Sequence, residues 1–83
     1  MEERIGQVSH YFGKVGVAAV QLEAPLRKGD TVHVQGHTTD FTCTVSSLQI
    51  EREEIDAAKK GDDVGFTVPE KTRQGDVVYR VTA

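Results

Sequence analysis

The sequence predicts an all-β fold, a small barrel or sandwich, on three observations. Apolar residues recur at every second position in several short runs, which is the period of a strand with one buried face. Val32 and Val34 follow it, as do Phe41, Cys43 and Val45, and then Val64, Phe66 and Val68. Gly-Asp pairs at Gly29, Gly61 and Gly75 stand before three of the runs. They read as turns, with glycine accepting a positive φ and aspartate bonding the backbone just after it. The stretch from Arg27 to Ile50 changes phase: Phe41, Cys43 and Val45 share one face, Leu48 and Ile50 the other, with the slip near Ser46-Ser47. Such a slip marks a β-bulge. A long bent strand serving two parts of a curved sheet is what a small closed barrel requires.

Taken in order, Ile5 to Phe12 is the first strand, with Gly6 inside it marking a bend or a close backbone approach. Val15 to Leu22 is a nearly unbroken apolar run, and Gly13 and Gly16 flank the connection, so the two runs form a hairpin. The small pair Ala18-Ala19 either lets a neighbouring layer or ligand approach or fills a tapering barrel interior. Glu23 to Leu26 is a turn, because Pro25 cannot donate a ladder hydrogen bond, and Leu26 tucks inward. Glu51 to Lys60 is charged, with Ile55 and Ala58 three apart, which reads as a loop holding a single helical turn pinned by Ile55. After the strand through Phe66 come a polar loop, Pro69 to Gln74, and a final strand from Val77 to Val81. The sum is about six short strands and almost no helix.

With 83 residues the chain is read as a single domain, 1–83, whose core must be economical: a domain of this size buries only about 60–65% of its unfolded surface. The net charge of -3 argues against a general, charge-driven nucleic-acid binder. The single Cys excludes an intrachain disulfide and fits a reducing, cytoplasmic setting. The charged start MEERIGQV is not a signal peptide, and no apolar run approaches the ~20 residues of a membrane span.

The order of motifs adds a resemblance. Gly6 to Val8 (G-x-V), Lys28 to Gly36 (K-G-D-x-V-x-V-x-G), Ser47 to Ile50 (S-L-Q-I), Ala57 to Phe66 and Gln74 to Val78 follow one another along nearly the whole chain. This succession is similar to the second domain of translational GTPases such as elongation factor Tu, which implies a six-stranded Greek-key barrel. Thr38-Thr39-Asp40-Phe41 and Ser47 to Arg52 look like the small barrel on the C-terminal side of collagenase-like peptidases and like its stand-alone, elongation-factor-like relatives. In that setting the barrel is an accessory and the catalysis lies elsewhere. The chain carries no G-x-x-x-x-G-K-[ST] phosphate loop, so no GTPase site is expected.

Candidate sites follow. His33, His37, Asp40 and Cys43 are possible metal ligands, but His33 faces away from Val32 and Val34 while Cys43 shares the apolar phase. They would have to converge from both faces of a sheet, so no metal or other cofactor is expected. A Cys on the apolar phase is a small core residue rather than a nucleophile, and no enzymatic activity is expected. The loop Gly36 to Asp40 is a polar connection suited to recognition, or else a tight turn with Asp40 bonding its own backbone. Basic residues fall at Arg27-Lys28, Lys59-Lys60 and Lys71 with Arg73, and would make a rim if those turns gathered at one end. One of Tyr11 and Phe12 must be core, and the outer ring, with Lys14, would stack on a base. The resemblance implies contact with tRNA or ribosomal RNA, for which Tyr11, Lys14, Arg27, Lys28, His37, Thr38 and Asp40 are the candidates. The alternative it implies is an adaptor for a separately encoded peptidase-type or translation-factor-type protein, docking through the acidic segment Glu51 to Asp56 and the sheet edge.

Overall fold

The computed structural model describes residues 2–51 and 53–82, and every regular element in it is a strand. Six strands have five or more residues: β1 (Glu2–Phe12), β2 (Val17–Leu22), β4 (Thr31–Gln35), β5 (Asp40–Thr44), β9 (Asp63–Thr67) and β10 (Val77–Val81). Four are two-residue pieces: β3 (Leu26–Arg27), β6 (Gln49–Ile50), β7 (Glu53–Glu54) and β8 (Ala57–Ala58). The main sheet has eight strands in the order β5-β4-β10-β1-β2-β9-β6-β7, and β3 pairs with β8 in a separate ladder. All pairings are antiparallel.

The phase slip in the 40–50 stretch has a larger structural meaning than a bulge. β5 lies at one end of the sheet order and β6 next to the other, and residues 45–48 join them. Val45 and Leu48 are both fully buried, one from each phase. Gly29 N–H donates to Val45 O at 2.8 Å, Val45 N–H to Asp30 O at 2.9 Å and Ile55 N–H to Leu48 O at 2.8 Å. The chain therefore crosses between the two ends of the sheet order with Val45 and Leu48 planted in the core and Ser46 exposed, and the sheet curls around Ile5, Val20, Val32, Val34, Phe66 and Val78.

The expected helical turn between Glu51 and Lys60 is replaced by β structure: the β6–β7 hairpin and then β8. Ile55 and Ala58 do face the core, but as residues of extended chain. Their spacing was ambiguous because three-residue separation also fits two short strand pieces with a bend between them. Val15 is not in β2; it stands in the β1–β2 turn, 67% exposed. Gly6 does mark a close approach, since a Cβ there would lie 2.7 Å from Gln21 O.

The Gly-Asp pairs form three copies of one turn. Gly29, Gly61 and Gly75 have φ of 96°, 93° and 97°. Asp30, Asp62 and Asp76 N–H donate to the carbonyls of Arg27, Lys59 and Arg73 at 3.1, 3.1 and 3.0 Å. Glycine at the third position with positive φ identifies type II turns. The aspartate carboxylates reach backwards, not forwards as expected: they accept from the N–H of Arg27, Lys59 and Arg73 at 2.9, 3.0 and 2.8 Å. Each turn is thus closed twice, once by backbone and once by side chain. Asp76 is buried, and a Cβ on Gly36 would fall 1.9 Å from its Oδ1.

These contacts separate two glycine requirements. Gly61 has open space around it, so Gly61→Ala meets only the torsional cost of a left-handed residue, about 1–2 kcal/mol. Gly36→Ala must displace the Asp76 carboxylate and loosen the turn it closes, which costs more, ~3 kcal/mol or above. Urea denaturation of the two variants should rank them in that order.

Candidate functional site

The feature best suited to recognition is a groove of about 730 Å³ over the strands β2, β9 and β6. Its floor is one row of the sheet, Ala19 opposite Gly65 and Gly65 opposite Gln49. Two of these three residues are as small as residues get, so the floor sits low. Gly65 has a negative φ, and a Cβ there would come within 3.1 Å of Val17 Cγ1. Bulk is absent here because of packing rather than torsion. Val17 on β2 makes one wall, and Phe12 and Val15 lean in from the β1–β2 hairpin. Phe12 is 48% exposed, and with Val15 it forms the pair of large apolar side chains left in solvent among the described residues. The His10 ring stands edge-on to Phe12 with centroids 4.4 Å apart, which holds the phenyl ring out from the sheet.

The groove is electrically polarised along its length. Lys14 lines it at the hairpin end, while Asp63 and Glu51 line it near the start of β9 and the end of β6. All three are exposed, and none has an ion-pair partner among the described residues. Elsewhere on the barrel, Arg4 pairs with Glu23, Lys28 with Glu54 and Arg80 with Glu3.

A second polar cluster lies on the outer face of β4, β5 and β10. His33 Nδ1 is 2.8 Å from Glu2 Oε2 and its Nε2 is 2.5 Å from Asp40 Oδ1. The Tyr79 ring is the cross-strand neighbour, with centroids 6.2 Å apart. An ionised carboxylate only accepts hydrogen bonds, so an imidazole held between two of them donates from both nitrogens and is charged. The hydrogen bond to Asp40 is the main cause raising the His33 pKa above 6.5; partial burial opposes it, and Glu2 adds to it. His33 is therefore a fastener between β5, β4 and the start of β1.

The residues singled out from sequence end up in four places. Tyr11 packs against the core, so the outer ring of the aromatic pair is Phe12. Lys14 lies in the groove. Arg27 and Lys28 sit at the β3–β8 ladder, beside the Lys59-Lys60 turn, and Lys28 is paired with Glu54 at 3.3 Å. His37 and Thr38 are exposed in the β4–β5 turn, which Gly36 N–H closes onto Thr39 O at 2.7 Å. Asp40 is held by His33 rather than by its own backbone. The Arg73 turn is tied to Val8, midway along β1. Cys43 is half-buried against the core, and burial pushes its thiol up from 9.0, away from the reactive thiolate. Among the described residues no cluster of His, Cys, Asp and Glu could hold a metal ion, and no helix is long and apolar enough to cross a membrane. The sequence reading missed Val15 and Gly65. Gly65 stood in plain view as a glycine between the alternating Val64 and Phe66.

Comparison with known proteins points in one direction. No family model matches the chain. Over 76 residues it is 40% identical to an uncharacterized protease of Methanocaldococcus jannaschii, a stretch that is 90% of this chain and 19% of that protein. The chain thus spans about a fifth of the curated relative it matches. Two solved structures of the C-terminal domain of a putative U32 peptidase from Geobacillus thermoleovorans superimpose on it. One has a TM-score of 0.90 at 28% identity, covering 96% of this chain and 93% of that one. The other, the selenomethionine variant, has a TM-score of 0.86 at 29% identity, covering 92% and 96%. The likeness is to a peptidase's C-terminal domain. It meets the collagenase-like half of the resemblance read from the sequence, whereas the elongation-factor half remains a matter of motif order.

The His33 cluster has a pH signature. Its pKa is raised in the folded state, so its contribution to stability is fully present below about pH 6.5 and is lost as pH rises through the higher folded value. Urea midpoints should fall as pH climbs above 6.5, and His33→Gln should flatten that part of the profile. Asp40→Asn should flatten it more than Glu2→Gln. A wild-type profile identical to that of His33→Gln would contradict the assignment.

Proposed function

We propose that this barrel is a non-catalytic interaction domain that docks a U32-type peptidase catalytic unit. The observation that carries the reading is the near-complete mutual coverage between this chain and the solved C-terminal domain, at TM-scores of 0.86 and 0.90. The match to one fifth of a longer protease points the same way, since the matched stretch there is part of a larger protein. A non-catalytic role is supported by the state of the obvious reactive groups. Cys43 is half-buried with its thiol pushed up, and both ring nitrogens of His33 are occupied by carboxylates.

Contact with tRNA or ribosomal RNA, the reading that the elongation-factor resemblance implies, draws support from Phe12 and Lys14. It loses support from the pairing of Lys28 with Glu54 and the net charge of -3. An apolar groove with unpaired charges of both signs suits a protein surface better than a phosphate backbone.

Sedimentation of the purified chain with the U32-type peptidase of its own source organism, prepared without any barrel domain, tests this reading. A complex is expected that survives about 0.5 M NaCl, because a partly apolar interface outlasts screening. Independent sedimentation of the two proteins at micromolar concentration would overturn it.

A further inference from the structure

We infer that the groove over β2, β9 and β6 holds one short extended peptide segment of defined chemistry: an acidic residue, an aliphatic centre and a basic residue. The inference rests on the peptidase-docking reading and names what part of the partner is gripped.

Length comes from the register. Val17 pairs with Thr67 and Gln21 with Asp63, so the groove runs beside five residues of β2, four steps or roughly 13 Å at ~3.3 Å per residue. Lys14 extends it beyond Val17. An extended segment of about five residues matches this span. Depth comes from the small residues Ala19 and Gly65, with the Val17 side chain bordering Gly65 on one side. A bulky outward residue in either place would fill that space.

Charge chooses the ends. Lys14 at the hairpin end faces an acidic residue; Glu51 and Asp63 at the other end face a basic one. Since these three side chains have no partners among the described residues, a ligand gains their pairing without breaking an existing ion pair. Exposed pairs are individually weak, so they select the ligand while the apolar centre supplies most of the affinity. A uniformly acidic or uniformly basic strand would meet repulsion at one end, which also disfavours a nucleic-acid strand.

Amide-shift NMR with capped synthetic peptides tests this directly. The probes are acetyl-Glu-Val-Leu-Val-Lys-amide, the same peptide with Glu at both ends, and the same with Lys at both ends. At millimolar peptide the mixed-charge probe should shift Phe12 to Ala19, Gln49 and Asp63 to Gly65, and bind about threefold or more tighter than the other two. Phe12→Ala and Val15→Ser alter exposed side chains and leave the core untouched, so their spectra report folding while binding weakens at least threefold. Lys14→Glu should switch the preference to the peptide with Lys at both ends. Equal binding of all three peptides, shifts confined to the His33 face, or no shifts at all would overturn the inference. So would a single-stranded oligoadenylate shifting these residues when the peptides do not. If the peptides bind as described but the peptidase does not sediment with the chain, the docking reading falls and the groove assignment stands. If the peptidase binds and the peptides do not, the groove assignment falls alone.

Discussion

The crossing of residues 45–48, which plants Val45 and Leu48 in the core, is the constraint on which the rest depends. Val45 and Leu48 leave solvent entirely, and their backbone bonds tie the segment to the Gly29 turn and to Ile55. Burying two such side chains contributes about 3–6 kcal/mol, and three net hydrogen bonds about 1.5–4.5 kcal/mol. Ordering four residues costs about 4–8 kcal/mol. The crossing is therefore close to balanced by its own contacts, and the curled sheet it makes possible provides the surplus. Without it, β5 and β6 would have no reason to stand at opposite ends of the sheet order.

Curling the sheet also decides which surfaces remain for function. On one side, β4, β5 and β10 are fastened by the ring of His33 between Glu2 and Asp40. That face has its charges satisfied. On the other, β6 pairs with β9 at one register position, Gln49 with Gly65, and Ser47 Oγ lies 3.3 Å from Thr67 Oγ1. The groove lies over this pairing, lined also by Phe12 and Val15 of the β1–β2 hairpin.

Much of this was legible in the sequence because strands announce themselves by alternation. Val32, Val34, Phe66 and Val78 are buried, as their phase requires. The phase change around Ser46-Ser47 pointed to the closing segment, although it read as a bulge. Two-residue strands are another matter. Glu53–Glu54 and Ala57–Ala58 are too short for any period to show, and a helical turn fitted them equally well. The aspartate of each Gly-Asp pair bonds three residues back because the type II turn puts that N–H within reach of its carboxylate, a preference that depends on the turn type and not on the pair alone. The groove was legible only in fragments. Ala19 and Lys14 drew notice, but the register that sets Ala19 beside Gly65 is a long-range fact that no local pattern contains. Tyr11 and Phe12 were an even choice until the bulge at Val8/His10 fixed which ring faces out.

Hydrogen exchange of the chain, alone and with a U32-type peptidase catalytic unit, tests whether the β2–β9–β6 side of the sheet is the interaction face. New protection should appear in Phe12 to Ala19 and Asp63 to Gly65, with the β4–β5–β10 face unchanged. Protection concentrated around His33, Asp40 and Tyr79 instead would contradict the account.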